Sequence, residues 1–152
     1  MTLYFPDVNV WIALSVLAHP HNGLAWKWKT LLAADDRVHF SRYTQLGLLR
    51  LLTNKAVMGD QALTLFQAWA VYDRWLEDPH VAFCPEPQQM EQCFRTATEP
   101  FGYQAASKWV GDCWLLAFAQ ATRSRLVTFD QALCDAAQKQ GHTAVRPNGE
   151  PD

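Results

Sequence analysis

Paired cysteines, net charge and long apolar runs are all scarce in this chain. Its four cysteines, Cys84, Cys93, Cys113 and Cys134, include no C-x-x-C pair, and His19 and His21 stand far from them in sequence. That spacing argues against a structural zinc site and leaves buried free thiols as the expected role. A formal net charge of −2 excludes a broad basic surface that would hold a long duplex by counterion release, so any nucleic-acid contact must be local. The apolar segment 8–18 follows an acid, lacks a basic flank and is too short to span a bilayer. Neither a signal peptide nor a membrane anchor is read, and a cytoplasmic location is the expectation. Internal repeats, linkers and low-complexity stretches are also missing.

What remains is a chain of 152 residues, 49% hydrophobic and 18% charged, with seven tryptophans. That length suits one domain, able to bury roughly 70% of the surface its unfolded chain would expose. Residues 1–146 are expected to form it, with 147–152 as a polar tail. Short apolar runs alternate with helical periodicity. Strands are expected at Leu3–Phe5, Val38–Phe40, Val81–Cys84 and Leu126–Phe129, with a weak fifth at Thr143–Arg146. Between them lie an all-round apolar helix in "NVWIALSVL", a stripe of Leu24, Trp28, Leu31 and Leu32, and a helix after Ser41, a good N-cap, that ends near Asn54. "QALTLFQAWAVYDRWLED", "EPQQMEQCFRTAT", "KWVGDCWLLAFAQAT" and Gln131–Lys139 supply four more. Strands separated by helices predict an α/β fold, a mainly parallel sheet of about five strands covered on both faces.

In such sheets ligands sit beyond the carboxyl ends of the strands. Asp7 and Asp130 each fall one step past an expected strand end, and Asp112 interrupts the most apolar helix near its start. Any one of these acids has a local use, because Asp at a helix start satisfies orphan amides and opposes the macrodipole. Three acids at one sheet edge repel one another unless a cation compensates. Oxygen donors without His or Cys suit Mg²⁺ or Mn²⁺, and the chemistry such ions serve best is hydrolysis of phosphate esters. A receiver or aspartyl-phosphate phosphatase would also place Asp at a strand tip. That reading needs a D-x-D, whose third position here is Asn9, and a lysine at a late strand end, which 126–130 does not offer.

Four blocks in order, "FPDVNVWIAL", "SRYTQLGLLRLLTN", "WVGDCWLLAFA" and "LVTFDQAL", resemble the signature blocks of PIN-domain ribonucleases, and most closely those of VapC-like toxins from toxin–antitoxin pairs. The resemblance spans Leu3 to about Leu133. It implies a PIN-like three-layer α/β/α sandwich and a metal-dependent endoribonuclease that cuts structured RNA, with Mg²⁺ as cofactor and Mn²⁺ able to substitute. It also implies a cognate antitoxin as partner. On the matching positions it makes Asp7, Asp112 and Asp130 the metal-binding and catalytic acids, supported by Asn9 and Thr128 and by Gln45, whose carbonyl can accept from a metal-bound water or ligate weakly. One position departs, since Gln45 stands where the family usually carries Glu, which leaves three carboxylates. A catalytically weakened PIN-like binding protein is therefore the competing reading. Arg42, Arg50 and Lys108 are the candidates for RNA contact, beside Trp109, and "ALTLFQAWAVYDRWL" is the stretch expected to pair in a homodimer or to receive an antitoxin segment.

Overall fold

The computed structural model describes residues 1–148; residues 149–152, most of the expected polar tail, lie outside the described residues. The chain runs β1 (Leu3–Pro6), α1 (Val8–Ser15), α2 (Asn22–Thr30), β2 (Arg37–Phe40) and α3 (Arg42–Leu52). It continues through α4 (Lys55–Met58), α5 (Leu65–Leu76), β3 (Val81–Phe83) and α6 (Met90–Thr98). After two 3-10 turns come α7 (Val110–Ala121), β4 (Arg125–Val127), α8 (Gln131–Lys139) and β5 (Ala144–Val145). The strands form one sheet in the order β3-β2-β1-β4-β5, and every neighbouring pair is parallel. Chain direction across the sheet reverses at β1, so the crevice beside that central strand is where a ligand site is expected.

Side chains alternate strictly across the sheet and feed two cores. Tyr4, Val38, Phe40 and Val127 point into the layer made by α1, α2, α3 and α5, whereas Phe5 and Leu126 point into the layer made by α6, α7 and α8. The result is three layers, α/β/α. α1 contributes five consecutive buried residues, Val10 to Leu14, and its Trp11 ring stacks on Phe40 at 3.7 Å between centroids. Each large apolar side chain withdrawn in this way stabilises the fold by about 1.5–3 kcal/mol. Phe5, fully buried against Phe118 and Trp114, fixes the central strand to α7, and Phe5→Ala would cost about 3–5 kcal/mol.

Several boundaries differ from the sequence reading. β4 ends at Val127, so Asp130 lies three residues beyond the strand and begins α8 instead of ending β4. Asn54 does not finish α3; its Oδ1 accepts from the Ala56 amide at 2.8 Å and starts α4. α2 stops at Thr30, and of its expected stripe only Trp28 is fully buried, Leu24 and Leu31 being exposed. Ser41 does cap α3, through a reciprocal pair in which Thr44 N donates to Ser41 Oγ and Ser41 N to Thr44 Oγ1. No helix among the described residues is long and apolar enough to cross a membrane.

Candidate active site

Asp7 leaves β1 at its carboxyl end and becomes the N-cap of α1, its Oδ1 accepting from the Val8 amide at 2.6 Å. Its own amide donates to the Val127 carbonyl at 2.8 Å, which locks the acid to the end of β4. Thr128, fully buried, follows that carbonyl. Its hydroxyl donates to Asp7 Oδ2 at 3.0 Å and accepts from the Asp130 amide and from Asn9 Nδ2, each at 3.1 Å. Asn9 closes the network: Nδ2 also reaches Asp7 Oδ2 at 3.2 Å, while Oδ1 accepts from the Phe129 amide. Thr128 and Asn9 thus fix Asp7 with two donors and hold the turn that carries Asp130. The Asp130 carboxylate in turn caps α8 through the Leu133 amide and stays exposed.

Asp112 sits in the first turn of α7, where the helix dipole favours a negative charge. It takes no hydrogen bond from the described residues. Burial, then the charges of Asp130 and Asp7, push its carboxyl up to about 6. Burial also raises Asp7, against the donors Thr128 and Val8, and Asp130 adds to the rise. The three acids therefore feel one another across a shared space. Among the described residues no Lys, Arg or His forms an ion pair with any of them, nor do three such side chains close directly around a single ion position.

The remaining residues singled out in the sequence separate into two groups. Gln45 is buried on α3, where its Oε1 accepts from Arg42 Nη1 at 2.6 Å, and it makes no hydrogen bond to the three acids. Arg42 lies over the Phe83 ring at 4.6 Å, so it is held between Gln45 and β3. Arg50, two turns further along α3, is exposed and free of ion pairs among the described residues. Its charge is felt at Tyr43, whose phenol is raised by burial first and then by Asp7 and Asp112, with Arg50 opposing. Lys108 is exposed above the Trp109 ring at 5.8 Å.

Sequence reasoning missed Tyr43. It follows Arg42 in the quoted block, and a half-exposed aromatic one residue into a helix gives no periodic signal. It also missed the loop before α2, where His21 packs on the Phe129 ring at 4.4 Å and so borders the turn that carries Asp130.

No protein-family model matches the chain. Ribonuclease VapC41 of Mycobacterium tuberculosis is 36% identical over 133 residues, which covers 83% of this chain and 88% of that protein. The solved structure of VapC20 of Mycobacterium tuberculosis, a sarcin–ricin loop cleaving toxin, superposes with a TM-score of 0.63 at 18% identity, covering 95% of this chain and 99% of that one. VapBC2 of Rickettsia felis, bound to a promoter DNA fragment, gives 0.64 at 15% identity over 95% of this chain and 97% of its counterpart. The two structures agree on the fold, and the long alignment at 36% identity carries the relationship. The chain belongs to the VapC ribonuclease family.

Proposed function

We infer that this protein is a divalent-metal-dependent endoribonuclease and the toxin half of a toxin–antitoxin pair, its catalytic domain spanning 1–146. The observation that carries the reading is the trio Asp7, Asp112 and Asp130: burial and the neighbouring carboxylates raise Asp7 and Asp112, and no cationic side chain among the described residues pairs with any of the three. An all-oxygen donor set fits Mg²⁺, or Mn²⁺ in its place. Asp112 fits best of the three, because its carboxylate is partly buried and has no donor from the described residues. The acids do not close around one ion position by themselves, so an ion held there would complete its shell with water, as Mg²⁺ does readily. When bound, such an ion supplies charge stabilisation at the reacting phosphate and makes water a stronger nucleophile at neutral pH.

The chain's own residues do the positioning. Asp7, Asp112 and Asp130 hold the cation, and Thr128 Oγ1 and Asn9 Nδ2 keep the Asp7 carboxylate in one orientation, as supporting donors do at metal sites. Arg50 and Lys108, both exposed, offer phosphate contacts. A substrate held by a few such contacts, single-stranded where it is cut, agrees with a net charge of −2. The name of the relative VapC41 and the loop-cleaving activity of VapC20 support RNA as the substrate.

The VapBC2 complex supports a cognate antitoxin as partner. The outer face of α5, where Leu65, Phe66 and Trp69 are exposed, is the surface we assign to that segment or to a second copy of this chain. The experiment is cleavage of a pool of structured RNAs by partner-free protein with Mg²⁺ or Mn²⁺, repeated with chelator and with Asp112→Asn. Cleavage lost in both controls is the expected result. Folded protein that cuts nothing would instead favour the binding-protein reading.

A further inference from the structure

An aromatic column runs from the core to the surface next to the acids. Phe118 is buried beneath Trp114, ring centroids 5.1 Å apart and planes within 21°, and Trp114 stacks in turn on Tyr43 at 5.1 Å and 27°. Tyr43 is the outermost ring and remains 43% exposed. Its phenol lies against Gly111, where a Cβ would stand 2.5 Å from the hydroxyl oxygen, so any larger residue beside Asp112 would displace it. Tyr43 also lines a groove of about 310 Å³ between the start of α1 and α3, together with Val8, Leu46, Gly47, Arg50 and Asn54. The helices meet closely here, since a Cβ on Gly47 would come within 2.5 Å of the Val8 side chain. Tyr43, which lines the groove, also feels the charges of Asp7 and Asp112, so the groove lies close to the acids.

We propose that this groove is a nucleotide subsite, in which one unpaired base of the RNA extends the Phe118–Trp114–Tyr43 column and Arg50 takes the adjoining phosphate. The proposal rests on the ribonuclease reading and names the part of the substrate held beside the cut. A flat ring with a supported back and an open front is what a base needs for stacking, whatever its identity. Arg50 supplies the one positive charge next to that ring, and a phosphate between it and the acids would draw on both Arg50 and the bound cation. Among the described residues that line it, the groove has no charge-bearing group besides Arg50, so base identity would be read weakly there and the subsite would select for single-stranded character. Tyr43 is a positioning residue, since it orients the nucleotide and does not reach the reacting atoms.

The test is binding of a labelled, mixed-sequence single-stranded RNA by fluorescence anisotropy in chelator, beside a fully abasic ribose–phosphate oligomer of equal length. Tyr43→Ala should weaken RNA binding about ten-fold and leave the abasic oligomer unaffected, the loss typical of one stacked base. Tyr43→Phe should bind as wild type, and Tyr43→Leu, which fills the space against Trp114 without an aromatic face, should lose as much as Tyr43→Ala. Arg50→Ala should weaken both probes and lower the salt dependence by about one counterion. Equal effects of Tyr43→Leu on both probes, no effect on either, or no binding of RNA by the wild type would each overturn the subsite. Cleavage by the wild type, assayed in parallel with Mg²⁺, judges the ribonuclease reading separately: a protein that cuts RNA with no dependence on Tyr43 loses the subsite and keeps the activity.

Discussion

The same sheet carries acids at both ends, and they are treated in different ways. At the amino end, Asp36 stands just before β2 with both carboxylate oxygens occupied, Oδ1 by the Thr2 amide at 2.8 Å and Oδ2 by the Ala33 amide at 2.9 Å. Asp78, ahead of β3, receives Lys29 Nζ at 2.6 Å and the His80 amide at 2.9 Å; burial pushes its carboxyl up, yet these partners hold it below the usual range. At the carboxyl end, Asp7, Asp112 and Asp130 have amides, a hydroxyl and one another, and no cation. A carboxylate that serves the fold has both oxygens partnered by it, through two amides at Asp36 and through Lys29 and an amide at Asp78. Asp112, proposed to serve a ligand, is left without a donor from the described residues, at some cost in stability.

Substitution at each end is the sharpest way to break this contrast. Asp7→Asn, Asp112→Asn and Asp130→Asn should each lower the cleavage rate by about three orders of magnitude or more, the several kcal/mol a bound cation contributes, while circular dichroism stays native. Asp36→Asn should do the reverse. Its amide would face the Thr2 or Ala33 N–H with a donor, costing about 1–3 kcal/mol of stability by denaturant titration, with cleavage by the folded fraction unchanged.

Thr128→Val keeps the shape of the buried side chain and removes the donor to Asp7 and the acceptor for Asp130 N. Cation affinity, followed by calorimetry, should fall about 10- to 100-fold, as it does when supporting partners of metal ligands are lost. An undiminished affinity would place the Thr128 network outside the metal's reach.

The stability of metal-free protein should carry the mark of Asp112. Its carboxyl, raised to about 6, binds a proton more tightly in the folded chain than in the unfolded one. That contribution is complete below the ordinary carboxylate range and is lost as pH rises through about 6. Metal-free Asp112→Asn should therefore melt a few degrees above wild type on the alkaline side of that pH, and Mg²⁺ should stabilise wild type more than the variant. Thermal melts with and without chelator check both.

The smallest effect is expected at Gln45→Glu. A carboxylate there meets the Arg42 guanidinium, already 2.6 Å from the Gln45 carbonyl, before it meets the three acids. Mn²⁺ affinity should change by only a few-fold, with an altered Arg42 environment as the main consequence.

Much of this was legible in the chain itself. The short apolar runs Leu3–Phe5 and Leu126–Phe129 announced two strands, the all-round apolar "NVWIALSVL" announced a buried helix, and Ser41 marked the start of α3. The sequence also set Asp7 and Asp130 beyond two strands and Asp112 near the start of an apolar helix, which is where the structure has them. Other features were not readable. Gln45 was noted for the charge it lacks, and nothing in the sequence said that its carbonyl would be held by Arg42, a neighbour three residues away on the same helix. The Asn9–Thr128 bond joins residues 119 apart, and the Phe118–Trp114–Tyr43 column depends on how α3 is laid against α7. Tertiary placement decides such contacts, and local pattern carries no trace of it. Strand ends also escaped, because Thr128 and Phe129 suit a strand by propensity and are drawn out of it by bonds to Asp7 and Asn9.

The order of the sheet sets when the site can come into being. β1 finds β4 only after the intervening chain has been made, and the hydroxyl that steadies Asp7 comes from a residue 121 positions later. Synthesis proceeds from the amino end, so a nascent chain presents Asp7 long before Thr128, and Asp130 emerges almost last. A nuclease assembled this way has its three acids and their supporting hydroxyl together only once the chain beyond β4 has been made.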